Sequence, residues 1–345
     1  MNVTSSPTVT NHSSTTLPAL SHVTTTYVGI LLCIITVALL GNIAVIIVFI
    51  GNRRFRVSSS YYIFSLAVAD VITASLVMTF EADQYLHNMK WRFSKFLCKV
   101  WTTGYLFTVP VSILSICLSS FDRWYAISRP LKYRANRNGL KRKARVAVIV
   151  IWIYSVIFAV IPEFGWNPPG DSDGFVDDSK YCYFDIYFEY SILSSIIHFI
   201  LPSIITAFLY YKMFKAMKAY TMHRRRMSSG SDYSNPWSPT QRNYRKELRT
   251  NFRHSVKLAK SYALIGSLLI LTWCPHSIFS IAQNICLQQN SRNYGCGFIR
   301  DIKAETSNSL IILGYSNSAL NPIVYVLRFK QFRLTLREWL TCRKK

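Results

Sequence analysis

Seven stretches of this chain are too long and too apolar to fold in water. They run from Tyr27 to Ile50, Tyr61 to Phe80, Val100 to Phe121, Val146 to Pro162, Tyr190 to Tyr211, Ser261 to Ile285 and Thr306 to Leu327. Asp70 is the one Asp, Glu, Lys or Arg inside them, and His198 and His276 are their histidines. A membrane-spanning helix takes about 20 mostly apolar residues, within a range of about 17–25. All seven stretches fit that length. None alternates in segments of about ten residues, as transmembrane strands do. The fold expected is an all-α membrane protein, a bundle of seven transmembrane helices.

The charges are few and sorted. Only 16% of residues are Asp, Glu, Lys or Arg, yet the formal charge is +24. Such a balance ordinarily points to nucleic acid, but unbroken apolar runs exclude that class. Basic residues cluster in alternate connections: three from Arg53 to Arg56, nine from Arg123 to Arg145, thirteen from Lys212 to Lys260 and seven from Arg328 to Lys345. The remaining eight lie on the other side. The positive-inside rule makes the basic side cytoplasmic, with the N-terminus outside. Localisation in the plasma membrane as a multi-pass protein follows.

Residues 1–26 then read as an extracellular tail. It is Ser/Thr-rich and carries glycosylation triplets at Asn2 and Asn11. It lacks a basic n-region and an apolar h-region, so the first helix serves as signal anchor. Residues 27–327 form the membrane unit, and 328–345 a short cytoplasmic tail. The inside loop 219–257 is polar, basic and Ser-rich, and is expected to be partly disordered. Its run Arg224-Arg225-Arg226-Met227-Ser228 suits anionic lipid better than a kinase. The outside segment from Asp171 to Glu189 carries six acidic residues and reads as a solvated loop.

Cysteines sort by side as well. Cys33, Cys117 and Cys274 lie within helices and read as core residues. Cys98, Cys182, Cys286 and Cys296 lie outside, where oxidation is expected. Four cysteines allow three pairings. Cys286 and Cys296 share one short loop and are expected to pair, which leaves Cys98 with Cys182. Cys342, inside and followed by Arg343-Lys344-Lys345, suits palmitoylation.

Short motifs recur in order along the seven runs. They are Gly41-Asn42; Leu66-Ala67-Val68-Ala69-Asp70; Trp91 before Cys98; Asp122-Arg123-Trp124; Trp152; Pro202 with Tyr210; Trp273-Cys274-Pro275; and Asn321-Pro322-Ile323-Val324-Tyr325. In this order and these helices, over Tyr27 to about Leu340, the chain resembles the rhodopsin-like G-protein-coupled receptors. Phe332 matches that family's short amphipathic eighth helix.

The resemblance implies several roles. Asp70 with Ser112, Asn317, Ser318 and Asn321 matches the family's allosteric sodium site, and all five offer oxygen, as a hard cation requires. No other cofactor is implied. Asp122 is expected to hold Arg123 at rest and release it to the G protein. Tyr210 and Tyr325 match the tyrosines that meet near the freed arginine in active members. Trp273 and Pro275 match the pivot of the sixth helix, since proline removes a backbone hydrogen bond. Leu131 matches the apolar residue inserted into the G protein. Heterotrimeric G protein, arrestin and receptor kinases are the implied partners, beside the lipid bilayer and an extracellular small-molecule ligand. Ser255 departs from the pattern. Many amine receptors carry an acid there, so one restraint on Arg123 is missing and ligand-independent signalling is expected.

Ser194-Ser195 and the text through Pro202 resemble the serine cluster of adrenergic, dopamine and octopamine receptors, which binds catechol or phenol hydroxyls. Yet the amine-binding Asp of those receptors is replaced by Tyr105. A biogenic amine would need another anion, and Glu81 and Asp83 near the outer end of the second helix are the candidates. Tyr105 and Tyr315 would add aromatic faces. His198, His276, Ser277 and Ser280 complete the expected pocket, with the two serines also able to bond their own helix. A neutral or anionic small molecule, a peptide, or a receptor that signals without ligand remain alternatives. Retinal is excluded because Tyr315 stands where its lysine would be. No internal repeat supports a transporter, no charged ring a channel, and no converging nucleophile, base or metal cluster an enzyme.

Overall fold

The computed structural model describes residues 22–52, 56–164, 175–176, 181–182, 187–229, 239–288 and 304–341. Among them are seven helices long and apolar enough to cross a membrane: α1 Thr24–Gly51, α2 Ser58–Leu86, α3 Lys95–Ser128, α4 Arg137–Phe164, α5 Phe188–Ala219, α6 Ser255–Cys286 and α7 Thr306–Arg328. A shorter helix, α8 (Lys330–Leu340), follows. Each spanning helix overruns its apolar stretch, because a backbone in hydrocarbon has to satisfy its hydrogen bonds internally. On the basic side the overrun is long. One helix continues to Ser229 and another starts at Pro239, so much of the 219–257 loop is helical. Lys, Arg, Glu and Gln there are good helix formers.

The bundle is ordered around α3. In its most apolar stretch 61% of residues are buried, against 28% in α1 and in α4, which lie at the periphery. The outward faces are apolar: Leu40, Ile149, Ile153, Ile157, Ile204, Phe208 and Leu271 are exposed. The inward faces carry Asn42, Ser65, Asp70, Ser115 and Asn321. Polar side chains tie the helices together, as expected where lipid is no less apolar than the core. Trp152 Nε1 donates to Ser65 Oγ at 2.9 Å, and Ser65 lies 3.0 Å from Ser115 Oγ, joining α4, α2 and α3. Asn42 Nδ2 donates to the Ser318 carbonyl at 3.0 Å, joining α1 to α7. Gly41 lets the two approach, since a Cβ there would run into Pro322.

Two helices are locally widened. Thr73–Met78 in α2 and Ile196–Ile200 in α5 are π-helical turns. A π turn holds an extra residue and often marks a functional site. It turns everything beyond it by about 100° relative to an unbroken α-helix. The α5 turn ends just before Pro202, which has no N–H to return. Pro275 sits inside an unbroken helix.

At the outer end, strands β1 (Phe175–Val176) and β2 (Tyr181–Cys182) pair antiparallel. The Cys98–Cys182 disulfide ties β2 to the start of α3, as expected. Cys286 is disulfide-bonded; its expected partner Cys296 lies outside the described residues, as do Asn2, Asn11 and Cys342. Cys117 is buried and Cys33 exposed. At the inner end Phe332 of α8 is buried near Tyr325, and Asn52 Nδ2 donates to Thr335 Oγ1 at 3.0 Å.

Candidate functional site

Three polar clusters are stacked along the bundle axis, and each matches a group of residues singled out by sequence. The innermost surrounds Arg123. Its guanidinium donates to the adjacent Asp122 carboxylate, and both are buried. Arg123 Nη2 also donates to the Tyr133 hydroxyl at 2.7 Å, which in turn donates to Asp122 Oδ2 at 3.0 Å. Burial raises the Tyr133 phenol above the ordinary tyrosine range, so it keeps the proton it donates. Ser58 Oγ donates to the other Asp122 oxygen at 2.6 Å. The Tyr262 ring lies 5.4 Å from the guanidinium carbon. Tyr133, Ser58 and Tyr262 were not singled out by sequence. They come from three separate segments, and only packing brings them to Arg123.

Tyr210 makes no hydrogen bond to Arg123 among the described residues. Its hydroxyl lies 2.6 Å from Ser120 Oγ and donates to the Tyr262 carbonyl at 2.5 Å. The Tyr325 hydroxyl is buried without a hydrogen-bond partner among the described residues, and its ring packs near Phe329 and Phe332. Leu131, on the short helix Pro130–Ala135, is 58% exposed toward the inner side.

The middle cluster surrounds Asp70, which is fully buried. Ser112 Oγ and Ser318 Oγ donate to Oδ1 at 3.1 and 2.9 Å, and Asn321 Nδ2 donates to Oδ2 at 3.1 Å. Asn317 Oδ1 and Asn321 Oδ1 are buried acceptors without a partner among the described residues. Four of the five expected oxygen-bearing residues thus form one bonded group. The fifth, Asn317, is buried with its acceptor unsatisfied. An anion with oxygen-bearing neighbours is the donor set that a small hard cation takes.

The outermost cluster contains Glu81. It is 7% exposed, and no Lys, Arg or His among the described residues pairs with it. Tyr315 donates to its Oε2 at 2.5 Å and Tyr85 to its Oε1 at 3.4 Å. Asp83 is different. It is ion-paired with Arg92 at 2.5 Å and lies 3.4 Å from His87, at the outer end of α2. The structure therefore separates the two candidate anchors, and of the two Glu81 is the carboxylate without a cation among the described residues. The Tyr315 hydroxyl turns to Glu81, while the Tyr105 ring lies 6.5 Å from Trp273.

Trp273 forms the floor of this cluster. Its ring lies 6.2 Å from Tyr315, 6.0 Å from His276 and 5.3 Å from Phe199. Gly314 makes room for it, since a Cβ would press on the indole. Ser277 donates to the Trp273 carbonyl at 2.9 Å, and Ser280 accepts from Asn284. Those serines bond along their own helix. His276 Nδ1 is buried without a partner among the described residues. On α5, His198 lies 3.2 Å from Ser194 Oγ through Nδ1 and 3.0 Å from the Tyr154 hydroxyl through Nε2. Ser194 is thus tied into an α4–α5 contact. The Ser195 hydroxyl makes no hydrogen bond among the described residues.

Comparison with known proteins decides the family. The model of the 7 transmembrane receptor (rhodopsin family) matches residues 41–325. The chain belongs to the rhodopsin family of seven-transmembrane receptors. The receptor is 31% identical over 333 residues to "Octopamine receptor beta-2R" of Chilo suppressalis, covering 91% of this chain and 79% of that one. It is 30% identical to "Octopamine receptor beta-2R" of Drosophila melanogaster, covering 91% of this chain and 60% of that one. It is 28% identical to the "D(5)-like dopamine receptor" of Takifugu rubripes, covering 92% and 67%. The receptor is a multi-pass membrane protein and a G-protein-coupled receptor, not an enzyme.

Proposed function

We propose that this receptor responds to an extracellular biogenic amine, and that Glu81 on α2 takes the place of the missing α3 carboxylate as counter-ion to the ligand's ammonium. One observation carries the reading. Glu81 is a buried carboxylate that no Lys, Arg or His among the described residues pairs with, hydrogen-bonded by Tyr315 and Tyr85. A buried carboxylate is costly until a cation pairs with it, and intramembrane ionisable residues are functional by default. The aromatic faces add cation–π attraction. Relatives named as octopamine and dopamine receptors support the ligand class.

Ligand seated on Trp273 would bias α6 around Pro275. Arg123 and Leu131 would then receive the G protein, with arrestin and receptor kinases acting on the same inner face. Asp70, Ser112, Asn317, Ser318 and Asn321 would hold sodium in the resting form. The basic inner segments support an extracellular N-terminus.

The test is a dose–response for octopamine, tyramine, dopamine and serotonin in cells, read as cyclic AMP and calcium at matched surface expression. Wild type should answer at least one amine. Removing one partner of a buried ion pair costs about 2–5 kcal/mol, so Glu81→Gln should lose about 30-fold or more in potency. Equal potency in Glu81→Gln overturns the reading. A high ligand-free signal, with no amine response and no change in Glu81→Gln, favours a self-activating receptor instead.

A further inference from the structure

Gln84 lies one helical turn beyond Glu81, and its side-chain amide bonds to nothing among the described residues. The residue is 1% exposed, and both Nε2 and Oε1 are buried without a hydrogen-bond partner. Buried amides are nearly always satisfied, so one with both ends unpaired needs a partner from elsewhere.

Helix geometry says where this amide stands. Thr79–Leu86 is regular α-helix, and successive residues turn by about 100°. Tyr85 is therefore about 40° to one side of Glu81, and Gln84 about 60° to the other. Tyr85 faces α1, with its ring 6.0 Å from Tyr27. Gln84 lies on the opposite side of Glu81; about two turns further in, the Val77 carbonyl accepts from Trp101 Nε1 of α3 at 3.2 Å. The carboxylate and the amide thus share one face of α2, one turn apart and about 60° from each other.

We propose that Glu81 and Gln84 together recognise a primary ammonium group, with Gln84 as the residue that selects an unsubstituted nitrogen. The inference rests on the amine reading above. A primary ammonium carries three N–H donors, and a carboxylate has about four lone-pair sites. Tyr315 and Tyr85 occupy one on each Glu81 oxygen, which leaves one on each for the ligand. Gln84 Oε1 supplies the third acceptor. Each N-methyl group removes a donor while keeping the charge. A trimethylammonium still pairs with Glu81, but it bonds nothing at Gln84 and leaves the amide buried and unsatisfied.

The experiment uses purified full-length receptor and measures affinity by ligand-induced thermal shift. Tyramine and serotonin are each compared with their N,N-dimethyl and N,N,N-trimethyl derivatives. Wild type should lose affinity down each series, by about tenfold for the hydrogen bond to Gln84 alone. Gln84→Leu and the volume-matched Gln84→Met should flatten the series, weakening the primary amine and sparing the trimethyl form. Glu81→Gln should weaken every member, since all carry the charge. Wild type that binds primary and trimethyl forms equally overturns the inference without any variant. Gln84 variants that keep the wild-type ordering also overturn it, while leaving the amine reading intact. Wild type that binds none of the six compounds overturns the amine reading and this inference with it.

Discussion

The Tyr315 hydroxyl donates to Glu81 Oε2 at 2.5 Å, so α7 and α2 are joined at the outer pocket by a hydrogen bond to a carboxylate. The same tyrosine ring stands against Trp273. A cation arriving at Glu81 therefore acts on a group already in contact with the α6 pivot. Tyr315→Phe removes the donor and leaves the buried carboxylate less satisfied. Hydrogen bonds to charged groups are worth about 1.5–3 kcal/mol. The ligand-free receptor should melt at a lower temperature, and the stabilisation on adding an amine should grow. A melting curve unchanged without ligand would show that the bond contributes nothing.

Arg123 is held by Asp122 and Tyr133, while Ser255 offers no carboxylate from α6. Tyr133→Phe deletes a donor to Asp122 and an acceptor from Arg123 together. Ligand-free G-protein activation should rise severalfold at matched surface expression. Ser255→Glu should lower it below wild type by restoring an opposing charge. The same basal signal in all three receptors would sink this account of the resting state.

Asp70 collects three donors, and the side-chain oxygens of Asn317 and Asn321 have no hydrogen-bond partner among the described residues. Replacing sodium by a large organic cation in the assay buffer should raise amine affinity in wild type. Asp70→Asn should abolish that sensitivity. An equal sodium effect in Asp70→Asn would rule out a cation held there.

Ser194 is bonded to His198, whereas the Ser195 hydroxyl is unbonded among the described residues. Loss of one neutral hydrogen bond is worth about 1 kcal/mol, or roughly fivefold in affinity. Ser195→Ala should weaken a phenolic amine by about that much, and Ser194→Ala by less. The difference should vanish for phenethylamine, which lacks the hydroxyl. A larger loss in Ser194→Ala would mean that the ligand displaces His198 from it.

Much of the molecule was legible before any coordinates. The seven spans, the Cys98–Cys182 link and the groupings around Asp70 and Arg123 follow from runs, loop positions and ordered motifs. The outer pocket was legible only in part. Tyr105 shows that an anion is missing from α3, and the choice between Glu81 and Asp83 stays open in the sequence because both lie near one helix end. Arg92 and His87, drawn in by the turn after α2, settle Asp83's partner. Gln84 carried one available signal, its spacing of three residues from Glu81, but a polar residue near a helix end usually faces water.

Chain length in hydrocarbon, and the need of every backbone N–H and C=O for a partner there, are enough to dictate helices, their number and the side each loop lies on. The direction of each side chain is another matter. Where nearly every residue is apolar, the 3.6-residue period carries little contrast, so the sequence does not say which face meets lipid and which meets a neighbour. The π turn at Thr73–Met78 separates Asp70 from Glu81, and one extra residue there swings Glu81 by about 100° about the helix axis. Packing against α1, α3 and α7 sets that angle, and with it the side of the bundle that faces a ligand's charge.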